Sequence, residues 1–87
     1  MSMEEHAPDV TLRKITPRRA QVLNLIRKGG SRRLIAVELT ISPKTADRHC
    51  EDLREITGCH TRAEMAVWWD RNEARWEKLH GPGRPTK

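Results

Sequence analysis

The sequence predicts an all-α domain of four helices, the last of them extended. Three observations predict it. Thr16-Pro17 and Ser42-Pro43 each set a capping hydroxyl directly before a proline, and proline at the first helical position loses no hydrogen bond. Gly29-Gly30 and Gly58 supply glycine where a helix must stop. Between these points apolar residues recur at three- and four-residue steps, the spacing of one helix face.

Taken in order, the first helix opens at Thr16-Pro17, carries Val22, Leu23 and Ile26 on its apolar stripe and ends at Gly29-Gly30. Ser31 caps the second, whose inward face is Ile35, Ala36 and Leu39. Only Thr40 and Ile41 separate it from the next cap, Ser42. The third helix runs to Gly58 with Ala46, His49, Leu53 and Ile56 as its buried stripe. Thr61-Arg62-Ala63-Glu64 reads as a capping box, threonine and glutamate satisfying each other's amides, and starts the fourth. Residues 1–11 read as a flexible polar arm, although Val10, Leu12 and Ile15 are able to pack back. Residues 12–80 form the domain, and 81–87 read as a flexible basic tail.

Eighty-seven residues make one small domain. With no Tyr, no Phe and three Trp, its core falls to Leu, Ile, Val and Ala. A charged fraction of 33% leaves little room for a large pocket, and no Ser-His-Asp order, phosphate loop or carboxylate pair points to catalysis. A binding module is therefore expected, not an enzyme, and no cofactor. No apolar run approaches the roughly 20 residues of a membrane span. The first eight residues lack a secretory apolar stretch, and two cysteines are too few to frame a secreted domain, so a cytoplasmic address follows.

The net charge is +5, and its distribution says more than its sum. From Val10 to Val37 lie Arg13, Lys14, Arg18, Arg19, Arg27, Lys28, Arg32 and Arg33, with no acid among them. Such a run favours a polyanion over a merely solvated face. Two short helices joined by a tight turn, the second opening Ser-Pro-Lys-Thr, make a helix-turn-helix. The second helix of such a pair fits the major groove of duplex DNA, its N-terminal side chains against base edges.

Ile15-Thr16-Pro17-Arg18-Arg19, Val22 to Ile26, Gly30-Ser31, Ile35-Ala36, Ile41 to Ala46 with His49, Gly58 and Thr61 to Glu64 together resemble the LuxR-type (GerE-like) DNA-binding domain, over roughly Leu12 to Trp69. The resemblance implies a four-helix domain that binds double-stranded DNA as a homodimer and regulates transcription, near the nucleoid. It implies base contacts from Lys44, Asp47, Arg48 and Glu51. Phosphate contacts fall to Arg18, Arg19, Arg32, Arg33, Ser42, Thr45 and Arg54. Only about fifteen residues precede the first helix, so no sensor domain is expected, and a stand-alone regulator is controlled by its concentration or by a partner.

The chain departs from the family in ways that matter. Family members commonly carry a basic residue at Asp47 and Glu51. Lys44, Arg48 and Arg54 against Asp47, Glu51, Asp52 and Glu55 leave the third helix at −1. Two uses are open to Asp47 and Glu51: accepting from a cytosine amino group, or pairing with Arg48 and Arg54 at helical spacing. Leu34 replaces the family's glutamate, so the second helix lacks a capping-box partner. Arg54 and Thr57 stand where the family is apolar, leaving Ile56 to pack.

In the family the fourth helix is short and forms the dimer contact. Here its pattern runs to about Leu79, roughly 27 Å at 1.5 Å per residue. Met65, Trp69, Asn72, Trp76 and Leu79 alternate four and three steps, as a coiled-coil seam does, which makes them the expected dimer interface, Asn72 fixing register. The competing use is a face turned into its own domain. His49-Cys50 and Cys59-His60 lack metal-ligand spacing, so no metal is expected. Gly83-Arg84-Pro85 matches the core of a minor-groove AT-hook, but three residues read as plain basic tail. The alternative function is an interaction protein that pairs with or antagonises another LuxR-type regulator through its fourth helix. A promoter-binding module recruited by RNA polymerase shares the same helix-turn-helix.

Overall fold

The structure is a computed structural model and describes residues 7–80. It contains five helices and, among those residues, no strand: α1 (Asp9–Arg13), α2 (Pro17–Arg27), α3 (Arg32–Leu39), α4 (Pro43–Thr57) and α5 (Arg62–His80). Residues 1–6 and 81–87, including Gly83-Arg84-Pro85, lie outside the described part.

The caps are the hydroxyls the sequence offers. Thr16 Oγ1 accepts from the Arg19 amide at 3.2 Å, Ser31 Oγ from Leu34 at 3.2 Å, and Ser42 Oγ from Thr45 at 3.0 Å. Ser31 thus holds one orphan amide of α3 although the glutamate of a full capping box is missing. Thr61 Oγ1 accepts from the Glu64 amide at 3.1 Å, but Glu64 returns its carboxylate to the His60 amide, 2.6 Å away, one residue upstream of the reciprocal bond that the capping box predicts.

Two helix ends, those of α2 and α4, follow the glycines. Gly29 and Gly58 take left-handed backbone at φ 87° and 78°. At the end of α3 the same position falls to Thr40, at φ 56°. Its amide donates to Val37 O and that of Ile41 to Ala36 O, which closes the helix in a Schellman motif and sets the tight turn into α4. A β-branched residue is strained there, and Thr40 is exposed. Thr40→Gly is expected to raise stability by about 0.5–1 kcal/mol, the relief of left-handed strain less the added freedom of the unfolded chain. A urea midpoint at or below that of the parent would contradict it.

The core joins Leu12, Ile15, Leu23, Ile26, Ile35, Leu53, Met65, Trp69 and Trp76 with smaller residues from α2, α3 and α4. Helix α5 packs chiefly on α2, and α3 on α4. Two sequence expectations give way here. Helix α1 straddles the boundary drawn between arm and domain at residue 11, and it docks on α5. Leu12 and Ile15 are fully buried, enough to anchor a segment whose other residues are polar. The Ala7 amide donates to Asn72 Oδ1 at 2.8 Å, Arg75 Nη1 donates to Ala7 O, and its Nη2 pairs with Asp9 at 2.6 Å.

The seam of α5 also faces inward. Met65, Trp69, Asn72 and Trp76 are at most 2% exposed within the single chain, and Leu79 packs against the same core. Trp76 Nε1–H donates to Ile15 O at 2.6 Å and Trp69 Nε1–H to Asn24 Oδ1 at 2.8 Å. Four-three spacing specifies a stripe, and a stripe fits a partner helix of the same chain as well as one from another copy. Asn72 holds the N-terminal segment instead of fixing a dimer register.

Candidate nucleic-acid interface

The start of α4 carries the candidate site. Ser42-Pro43 sets the helix entry, and Ala46, Cys50 and Leu53 hold the opposite side in the core. Lys44, Thr45, Arg48, Glu51, Arg54 and Glu55 are exposed. Lys44, Thr45, Asp47, Arg48 and Glu51 line one shallow depression, so the four predicted base-contact residues do come together. Lys44, Arg48, Glu51 and Arg54 make no ion pair among the described residues. Ser42 Oγ donates to Thr45 Oγ1 at 2.9 Å, so these two hydroxyls shape the helix entry together.

The basic run is less free than its sequence implies. Arg19 contacts Asp52 of α4 at 3.4 Å and donates to Lys14 O. Arg27 is held by Glu73 at 2.7 Å and Asp70 at 3.3 Å of α5, bonds that raise its already high pKa, and it belongs to the α2–α5 contact. Arg32 reaches Asp47 at 2.8 Å. Of the phosphate candidates, Arg18 makes one long bond to Gln21, while Arg33 and Arg54 are exposed and form no ion pair among the described residues. Asp47 is therefore paired, but across to α3 and not along its own helix. Acids from later helices neutralise a stretch that contains none, which a linear reading does not see. Sequence reasoning also missed Arg62. The first residue of α5 joins Ser31, Arg32, Arg33 and Asp47 around a second hollow, and no local signal announces that.

His49 departs from its expected place. Cys50 takes the buried position of the stripe and His49 is half-buried, its Nδ1 enclosed without a hydrogen-bond partner. Burial pushes its pKa below the ordinary histidine value, nearby Arg18 and Arg19 push it further, and Asp52 opposes them. The folded state thus takes up a proton less readily than the unfolded chain. Stability is full above the ordinary histidine value of about 6.5 and is lost as pH falls through it toward the folded pKa. Melting at about pH 5 is expected below that at about pH 7.5, and His49→Gln should flatten the difference. An equal pH dependence in the variant would contradict the assignment.

Among the described residues no group of three or more His, Cys, Asp and Glu is placed to hold a metal ion, and both cysteines are free. No helix among them is long and apolar enough to cross a membrane.

A tight helix-turn-helix whose second helix turns a polar, charged face outward defines a nucleic-acid-binding class. The family model described as bacterial regulatory proteins, luxR family, matches residues 13–69, about two thirds of the chain. The chain belongs to that family, whose domain binds DNA in transcription regulation. No individual curated protein and no solved structure matches it significantly.

Proposed function

We propose that the chain reads duplex DNA sequence-specifically as a homodimer, α4 entering the major groove and acting as a transcription regulator. The observation that carries this reading is the single outward face of Lys44, Thr45, Asp47, Arg48 and Glu51 at the start of α4. Lys44 and Arg48 are donors for base edges, and Asp47 and Glu51 are acceptors. The phosphate contacts are assigned to Arg18, Arg19, Arg32, Arg33 and Arg54 with the Ser42 and Thr45 hydroxyls, and such contacts position the helix without reading sequence.

Pairing is assigned to α5, as the family resemblance implies, but to its outer face. Cys59, Ala63, Val67 and Trp68 line an apolar groove there, edged by Glu64 and Arg71, and Val67 is 51% exposed. Two such faces meet about a two-fold axis in an isologous contact.

Selection from a random-duplex library at two salt concentrations tests the reading. Enrichment of a two-fold-symmetric site, with affinity falling steeply as salt rises, is the expected result. Weak, unselective retention would overturn it. The carboxylates of α4 favour a second reading in that event, an antagonist that pairs with another LuxR-type regulator through α5. Heterodimers that bind no DNA would single it out.

A further inference from the structure

Arg32 and Asp47 stand on different helices of the helix-turn-helix and meet at 2.8 Å, with 53% and 45% of their side chains exposed. Their pair lies at the surface, at the border of two hollows. One is the reading face, with Lys44, Thr45, Arg48 and Glu51. The other is lined by Ser31, Arg32, Arg33 and Arg62, and Asp47 is its only acid. Three guanidinium groups around one hollow attract an anion, and bidentate geometry suits phosphate as well as carboxylate. The chain supplies an anion of its own from the helix that does the reading.

We propose that Asp47 is a specificity-determining residue that works through Arg32 by exchange of partners. In the free protein the carboxylate occupies the guanidinium. On the correct duplex, Arg32 passes to a backbone phosphate while Asp47 passes to the amino group of a cytosine. The inference rests on the DNA-binding reading above.

Its logic is electrostatic. Affinity for arbitrary duplex grows with the number of cations free to displace counterions. Arg32 is withheld from that count while Asp47 holds it. Releasing Arg32 over a wrong base leaves a carboxylate facing acceptor atoms and neighbouring phosphates, with nothing to offset the lost ion pair. Over cytosine the exchange is complete, because the carboxylate regains a donor. Contact with phosphate and contact with base are thereby coupled, and loose binding is held down.

The test compares the parent chain with Asp47→Asn, Arg32→Ala and the double variant. Each binds its selected site and an unselected duplex over a salt titration, with circular dichroism to verify folding and Asp47→Ala as a second charge-removing variant. Asp47→Asn is expected to bind unselected duplex several-fold tighter. Its plot of log affinity against log salt should steepen by about 0.9, the value of one further phosphate neutralised. The ratio of selected to unselected affinity should fall, and preference at one base pair should move from cytosine toward adenine, which asparagine reads. Both the tightening and the steepening should shrink when Arg32 is also alanine. An unchanged slope, or an unchanged ratio, in a folded Asp47→Asn would overturn the exchange while leaving DNA binding intact. Failure of every variant and of the parent to retain duplex at low salt would instead remove the DNA-binding reading, and the exchange with it.

Discussion

Trp69→Ala is expected to lower the unfolding free energy by about 3–5 kcal/mol, most of what a domain of this size possesses. Trp69 is fully buried. Its ring meets Trp76 edge-on at 5.6 Å and stacks with Trp68 at 6.3 Å. Its Nε1–H donates to Asn24 Oδ1, which also accepts from Arg27 Nη2 at 2.7 Å, and Arg27 in turn holds Asp70 and Glu73. Removing the indole opens a cavity and disconnects one of the polar ties between α2 and α5. A fall in melting temperature of more than about 10 °C follows for a domain this small. Trp69→Phe should recover much of it, since it refills most of the volume and loses only the hydrogen bond. The loss should be independent of protein concentration, because the residue serves its own chain. A concentration-dependent loss would return Trp69 to a dimer seam.

Val67→Glu is expected to leave the fold intact and abolish pairing. The residue is half exposed on the outer face of α5, so the change empties nothing. In a symmetric contact two introduced carboxylates face one another, and each is buried beside the apolar groove of Cys59, Ala63 and Trp68. Without pairing, the second half-site is no longer held close once the first is bound. Affinity for a two-fold site should then fall by about 10²–10⁴, while affinity for a single half-site stays near that of the parent. Sedimentation equilibrium together with titration of both duplexes measures this. A Val67→Glu chain that still sediments as a dimer would place the contact elsewhere.

Four helices, their caps and the two glycine stops were legible in the sequence because each rests on a local rule: a hydroxyl before proline, a glycine after the last turn. The face of α4 was legible for the same reason, since periodicity sorts inward from outward residues. Where the outcome depended on residues far apart in the chain, local rules ran out. Nothing near Asp47 says that Arg32 holds it, and nothing near Arg62 places it beside Arg33. The α5 stripe had the right members and the wrong partner, because spacing counts residues along a helix and not the surfaces opposite. Helix α1 was hidden for a simpler reason: two apolar residues, Leu12 and Ile15, anchor it, too few to make a periodic signal.

The clasp of Ala7 and Asp9 by Asn72 and Arg75 ties the first described residues to the last helix. The chain is thereby closed upon itself, with α1, α2 and α5 as a frame and α3–α4 as an excursion between its halves. The largest buried side chains, Trp69 and Trp76, belong to the frame, and Lys44, Asp47, Arg48 and Glu51 of α4 form no ion pair with it among the described residues. Lys44, Asp47, Arg48 and Glu51 are free to diverge toward a new recognition target without eroding the scaffold that presents them.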